Sequence, residues 1–492
     1  MDYLNYIDGQ FISGKSGLTF NDLNPSNKEE VIGTFPRSNQ EDVNEAVKAA
    51  KKAFAGWSAT PAPKRGEIIY RAGQLLLERK EEISRAIVRE MGKVKAAADG
   101  DVQSAADMAF YAAGEGRRLY GQTAHSALAN RMAFARRVPV GVCALITPWN
   151  APAAAIAWKL FPALICGNAA VVKPAEDTPL AAQLIFEILE KAGLPAGVAN
   201  LVQGYGQEAG EALANHSDVN LISFTGSTEV GRHLSEIGSK KLIKVSLEMG
   251  GKNGVLVMED ADLDLAAEAV VSGAFTIAGQ RCAATSRVVV HSSVYDQFLE
   301  KLVNRTKTLK VGPADDESSY ITPIINQKQL AQIAKYVEEA KTAGAEVLTG
   351  GEILTKGEYS NGFYFAPTIL INVKPKDKIF QEEVFGPVAV VVKYGGLEEG
   401  LELMNATNYG LTASVFTKDS AKGLRMIDGI RAGVVYLNAP TFGSEVHLPF
   451  GGFGLSGNGH REAGLGGLDV FSDWQTVYLD YSGGIQNSQT KK

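Results

Sequence analysis

From residue 138 onward, short apolar runs alternate with stretches of helical period, and few folds accept that pattern. Residues 138–146, 169–172, 199–202 and 221–224 read as buried strands. Between them, Thr178-Pro179 is an N-cap followed by proline at the first helical position, and that helix stops at Gly193-Leu194-Pro195. A further helix covers residues 207–214. Strand alternating with helix implies a parallel sheet joined by right-handed crossovers. Nucleotides bind such sheets at the carboxyl ends of the strands, where helix N-termini point free amides at phosphate.

A second α/β block extends from about 250 to 440, with strands at 287–291 and 388–392 and a helix at 327–343. Near the start, strands at 3–7 and 10–12 flank the turn signal Asp8-Gly9. A helix opens at Ser38, with Glu41 completing a capping box and Val43, Ala46, Val47, Ala50 and Phe54 on one face. A long helical region follows over 64–91. Residues 131–140 alternate partly and suggest a projecting hairpin, and the polar tail 482–492 is expected to fray.

The composition excludes several classes. A chain of 492 residues suggests about three compact units. With 45% hydrophobic and 21% charged residues it is an ordinary globular sequence. A net charge of −6 gives no support to nucleic-acid wrapping or to docking on an anionic membrane. Three cysteines are too few for a disulfide framework, so a reducing compartment fits. The six histidines form no pair at ligand spacing, so no metal is expected. Residues 1–5 lack a signal-peptide pattern. The most apolar stretch, 151–172, is interrupted by Pro152, Lys159 and Pro162, so no membrane span is expected. A cytoplasmic protein is the expectation.

Cys282 lies in Gly279-Gln280-Arg281-Cys282-Ala283-Ala284-Thr285. Small neighbours let a turn expose the sulfur, and Arg281 with free backbone amides favours the nucleophilic thiolate. A small packed core cysteine is the competing reading, and it is the one taken for Cys143 and Cys166. Glu248 ends an apolar strand beside Gly250-Gly251, where desolvation raises a carboxylate towards general-base range; a surface glutamate at a strand end is the alternative. Asn150, in Thr147-Pro148-Trp149-Asn150, offers an amide donor to an oxyanion, or serves only turn geometry. Phe224-Thr225-Gly226-Ser227 joins a strand to a helix as a phosphate-facing turn, with Gly204-Tyr205-Gly206 a weaker candidate. In Lys173-Pro174-Ala175-Glu176 the lysine can reach ribose or phosphate, and the glutamate can accept from ribose hydroxyls.

Taken in order, these segments, with Leu247-Glu248-Met249-Gly250-Gly251-Lys252, Glu382-Glu383-Val384-Phe385-Gly386-Pro387 and Pro449-Phe450-Gly451-Gly452, resemble the aldehyde dehydrogenase superfamily over nearly the whole chain. The resemblance implies an α/β fold with a Rossmann-like parallel-sheet NAD domain, an α/β catalytic domain and a small β oligomerisation arm. It places the dinucleotide-binding domain at 1–117 and 140–248, the catalytic domain at 249–445, and the arm and tail at 118–139 and 471–492. It implies Cys282 as nucleophile, Asn150 as oxyanion donor, Glu248 as the base for water, and Lys159 with Glu462 as a proton relay. Thr147, Pro148, Trp149, Lys173, Glu176, Gly206, Phe224, Gly226, Ser227, Gly250, Glu383 and Phe385 would hold the dinucleotide. Trp158, Arg281 and Phe450 would line the substrate tunnel.

Glu176 beside the adenine ribose favours NAD, while Lys173 leaves NADP admitted. The Gly-Gln-Arg-Cys context looks most like the 2-oxoglutarate semialdehyde (2,5-dioxopentanoate) dehydrogenase branch, with Arg281 meeting the substrate anion. Non-phosphorylating oxidation of glyceraldehyde 3-phosphate, or a catalytically silent binding protein on the same fold, are the alternatives. A homo-oligomer, dimer or tetramer, is implied, with Asp473 and Arg461 as a structural ion pair. Ile277 stands where the family often has asparagine, which removes a supporting hydrogen bond.

Overall fold

The computed structural model describes residues 2–486. Two seven-stranded sheets and one three-stranded sheet organise the chain. The first sheet runs in the order Lys244–Met249, Leu221–Gly226, Val142–Ile146, Ala169–Lys173, Ala199–Leu201, Asn5–Ile7, Gln10–Ile12. Its first five strands are parallel, and the N-terminal hairpin closes one edge antiparallel. Chain order reverses between Val142–Ile146 and Leu221–Gly226, which opens a crevice at their carboxyl ends.

The second sheet runs Glu346–Thr349, Thr368–Ile371, Val388–Tyr394, Thr285–His291, Asn253–Val257, Thr412–Phe416, Val434–Leu437, parallel except at its first strand. Its central strands carry apolar runs, Val255–Val257, Val288–Val290 and Val388–Val392, that pack in one buried core. The third sheet pairs Ser472–Asp480 and Gln122–His125 on either side of Arg131–Pro139. The hairpin expected at 131–140 is therefore a two-partner strand. The tail expectation at 482–492 falls in part on residues outside those described.

Several local expectations shift. The stretch 138–146 is two strands: Arg131–Pro139 leaves for the third sheet, and Gly141, at φ 135°, makes the break. A side chain at Gly141 would meet Asn220 Oδ1 at 2.2 Å, and Asn168 Oδ1 accepts from the amides of Val140 and Gly141. The capping box falls one residue later, with Asn39 and Asp42 as its members. The helical region 64–91 divides at Arg79, whose guanidinium pairs with Glu82 and Glu187. Thr178 makes no side-chain cap; buried Glu90 instead accepts from the amides of Leu180 and Ala181 at 2.8 and 3.0 Å. Burial holds the Glu90 pKa up at about 8, so at neutral pH the cap is largely a neutral carboxyl accepting from two amides. Pro152 opens the helix Pro152–Ile165, where no N–H is needed, and Pro162 lies inside it, giving up one backbone hydrogen bond three residues before its end. No helix among the described residues is long and apolar enough to cross a membrane.

Candidate active site

Cys282 sits in the turn between the helix Leu263–Phe275 and the strand Thr285–His291. Ile277, Ala278 and Gly279 all adopt left-handed backbone, at φ 56°, 50° and 65°. Such strain costs roughly 1–3 kcal/mol per non-glycine residue and persists only where neighbours enforce it. Buried Gln280 is one enforcer: its carboxamide donates to the carbonyls of Ile277 and Pro323 and accepts from the amide of Ile325. Asn253 is another, donating to Cys282 O at 2.7 Å and Ala284 O at 2.9 Å. Thr441 donates to Ala283 O at 2.7 Å. The support missing at Ile277 is thus supplied by other side chains. Asn150 reaches across from the first sheet and its Nδ2 donates to Gln280 O at 3.2 Å, two residues before the sulfur.

The resting thiol differs from expectation. Cys282 is half-buried, yet its pKa is pushed up to about 12. Desolvation is the main cause, the fields of Glu383 and Glu248 add to it, and Arg281 opposes without prevailing. Cys143 and Cys166 are fully packed, as expected.

Glu248 lies near the end of the strand Lys244–Met249 and is 2% exposed. Neither carboxylate oxygen has a hydrogen-bond partner among the described residues. Burial first, then the negative field of Glu462, raises its pKa well above the usual carboxylate range; Lys159 and Arg461 pull the other way. Lys159 is fully buried and donates to Ser223 Oγ at 3.1 Å and to Glu462 Oε1. Thr225 Oγ1 donates to the same carboxylate at 3.3 Å. Phe450 and Glu462 exchange backbone hydrogen bonds at 2.7 Å, so one bridge positions both. Ser223 carried no sequence signal beyond lying in a strand, and Thr225 was read only as part of the phosphate-facing turn.

The crevice opens beside these groups. Ser227 caps the helix Thr228–Lys241 and, with Glu383, lines a cleft of about 830 Å³. Glu383 accepts from the amide of Gly251 at 3.0 Å, and burial holds its pKa up at about 7. A Cβ at Gly250 would lie 1.8 Å from Glu383 Oε2, so a side chain there would have to displace that carboxylate. Phe385, at φ 54°, meets Trp149 edge-on at 5.3 Å between ring centroids. Buried Thr147 keeps its hydroxyl unpartnered beside half-buried Pro148. Further along, Lys173 donates to Pro174 O at 2.6 Å and to Glu176 at 3.2 Å, so the expected ribose-facing pair is in contact. Gly206 begins an exposed turn with open space over its Cα. Phe224 packs in the core, where its ring leaves no room for a side chain at Gly226.

On the other side of Cys282, Trp158 meets Phe450 edge-on at 5.8 Å and donates to Ser104 Oγ at 3.0 Å. The Arg281 guanidinium lies 4.1 Å from the Phe442 ring centroid, and its Nη1 is buried without a partner among the described residues. The ion pair expected between Asp473 and Arg461 is absent. Asp473 pairs with Lys244 at 2.8 Å, while Arg461 donates to Gly452 O and His460 O and covers the Phe453 ring.

Residues 11–477 match the aldehyde dehydrogenase family. The chain is 42% identical over 477 residues to the alpha-ketoglutaric semialdehyde dehydrogenase of Bacillus subtilis, covering 97% of this chain and 98% of that one. It is 40% identical over 478 residues to the alpha-ketoglutarate semialdehyde dehydrogenase of Haloferax volcanii, covering 97% and 99%. The fold superposes on a crystal structure of betaine aldehyde dehydrogenase from Staphylococcus aureus in complex with NAD+, with a TM-score of 0.96 at 33% identity, covering 99% and 97% of the two chains.

Proposed function

Because this chain belongs to the aldehyde dehydrogenase family, an oxidoreductase family that converts aldehydes to acids, we propose that its substrate is an aldehyde carrying a carboxylate, of the 2-oxoglutarate semialdehyde type. The observation that carries the proposal is Arg281, one residue from the sulfur, whose guanidinium has no hydrogen-bond or ion-pair partner among the described residues. A desolvated guanidinium without a partner is costly until an anion meets it.

In this reading Cys282 Sγ attacks the aldehyde carbon and forms a thiohemiacetal. The raised pKa of the thiol makes proton loss part of that attack rather than a property of the resting site. The ionised form of Glu248 is the base that takes this proton and hands it on before hydrolysis. Asn150 Nδ2 and the Cys282 amide hold the oxyanion, which is required before hydride can leave. A bound nicotinamide supplies the hydride acceptor. Loss of hydride leaves a thioester on Cys282, and Glu248 takes a proton from water as that water attacks it, releasing the acid and the thiol. Lys159 and Glu462 pass the proton onward from Glu248. The unpartnered state of both Glu248 oxygens supports its role, since no protein group competes with water for them.

The cradle fits a dinucleotide. Ser227 at a helix N-terminus suits pyrophosphate, Glu383 over the Gly250-Gly251 turn suits a ribose, and Trp149 with Phe385 forms a wall. Glu176 favours NAD, and its contact with Lys173 leaves NADP tolerated. We assign 1–117 with 140–248 to dinucleotide binding, 249–445 to catalysis, and 118–139 with 471–492 to assembly. Val434–Leu437 and Ser472–Asp480 are edge strands with no second neighbour among the described residues, and Met132, Trp474, Tyr478 and Leu479 are exposed around the latter. A second copy of this chain, in a dimer or tetramer, is the occupant that closes such edges. Three free cysteines, one of them nucleophilic, fit a cytoplasmic setting.

A substrate panel tests the reading: 2-oxoglutarate semialdehyde, glyceraldehyde 3-phosphate and neutral aldehydes, each with NAD and NADP, on the native protein and on Arg281→Leu. The native protein is expected to prefer the carboxylate-bearing aldehyde and the variant to lose that preference. Unchanged selectivity in Arg281→Leu overturns the substrate assignment.

A further inference from the structure

We propose that Phe442 is a specificity-determining residue, its ring holding the Arg281 guanidinium in the pose that presents its accessible N–H edge to the anionic end of the aldehyde. The inference rests on the reading of Arg281 given above and adds the group that fixes it. The guanidinium carbon lies 4.1 Å from the Phe442 ring centroid, close enough for cation–π attraction. No carboxylate among the described residues pairs with Arg281. Asp101, the buried acid of the neighbouring Lys93 pair, is already spent: Lys93 takes one oxygen at 2.8 Å and the amide of Ala154 the other at 2.8 Å. The aromatic face is therefore the contact that orients the group, and it leaves an N–H edge free, whereas a carboxylate would consume that edge.

The ring itself is fixed to the nucleophile loop. Thr441, the preceding residue, donates to Ala283 O and shares a hydrogen bond with Thr285 Oγ1 at 2.9 Å. Phe442 and Arg281 thus sit on two segments stitched together on the C-terminal side of the sulfur. Arginine loses much rotamer freedom when it binds a ligand, and a side chain already immobilised avoids part of that loss. The ring is in this way a device for anion affinity that makes no contact with the anion.

Matched substrates separate this role from a structural one: succinate semialdehyde, and butanal, which has methyl in place of the carboxylate. Selectivity is the ratio of kcat/KM for the two. In Phe442→Leu the ratio is expected to fall roughly 5- to 30-fold, the range of a desolvated cation–π contact. The loss should lie in KM for the anion, with the constants for butanal changing less than about twofold. Phe442→Tyr, which keeps the ring, should retain the ratio. An unchanged ratio in Phe442→Leu alongside a collapsed ratio in Arg281→Leu overturns the role of Phe442 alone. Parallel losses on both aldehydes also overturn it, since they mean that the ring only shapes the tunnel. A ratio unchanged in Arg281→Leu removes the underlying reading instead. Should Phe442→Leu not fold, Phe442→Met is read by the same outcomes.

Discussion

Replacing Glu248 by Gln removes one ionisable proton from a site where neither carboxylate oxygen has a hydrogen-bond partner among the described residues. The amide is nearly isosteric and breaks no observed bond, so the effects divide cleanly between chemistry and electrostatics. For chemistry, loss of a general base costs roughly 10²- to 10⁴-fold. On the proposed mechanism Glu248 acts again after hydride loss, so stopped-flow absorbance should show a first turnover of NADH per site, then a steady state slowed by that factor. For stability, the folded protein keeps Glu248 protonated above the ordinary carboxyl value of 4.5, where the unfolded chain has released the proton. The native site therefore loses stability as pH rises from that value to the raised folded pKa. Gln carries no such penalty. Denaturant unfolding at increasing pH above 4.5 should find Glu248→Gln gaining on the native protein, by up to about 1.4 kcal/mol per pH unit until the folded carboxyl ionises. Wild-type steady-state turnover in the variant would refute the assignment of the base, and parallel stability profiles would refute the account of its burial.

Asn150→Ala should lower kcat about 10²- to 10³-fold in steady-state assays while leaving NAD binding intact, the loss typical of an oxyanion donor. Gly250→Ala puts a methyl 1.8 Å from Glu383 Oε2 and should raise KM for NAD roughly 10- to 100-fold by displacing a charged hydrogen-bonding group. Lys159→Met leaves the Glu462 carboxylate buried without its cation and should destabilise the protein by about 3–5 kcal/mol in denaturant unfolding. The same variant removes a field that lowers the Glu248 pKa, so its pH–rate profile should move to higher pH.

Alternating apolar and helical runs place most parallel strands of the first sheet and two of the second, because burial between helices imposes that texture on the sequence. Asn253–Val257, Thr368–Ile371, Thr412–Phe416 and Val434–Leu437 are not among the strands so placed. The boundaries were less legible where a distant side chain decides them. The break at Gly141 is set by Asn168 and Asn220, and the cap on Pro179–Lys191 by Glu90, none of them local in sequence. The motifs named Cys282, Glu248, Asn150, Lys159 and Glu462, and the structure draws Asn150 to the Cys282 loop and Lys159 to Glu462. What the sequence could not carry was the electrostatic balance at the sulfur. A neighbouring Arg281 suggested a thiolate, but desolvation with two acidic fields outweighs one cation. The supports of the loop, Gln280, Asn253 and Thr441, were equally silent, since each acts through a backbone carbonyl contributed by another segment.

The most direct trial is to mix Glu248→Gln with NAD and an excess of 2-oxoglutarate semialdehyde, quench after the first turnover, and map the adduct by peptide mass spectrometry. An acyl group on the peptide bearing Cys282, in proportion to the NADH formed and absent from Cys143 and Cys166, is the predicted result. NADH produced with Cys282 unmodified, or produced equally by Cys282→Ala, would contradict the account.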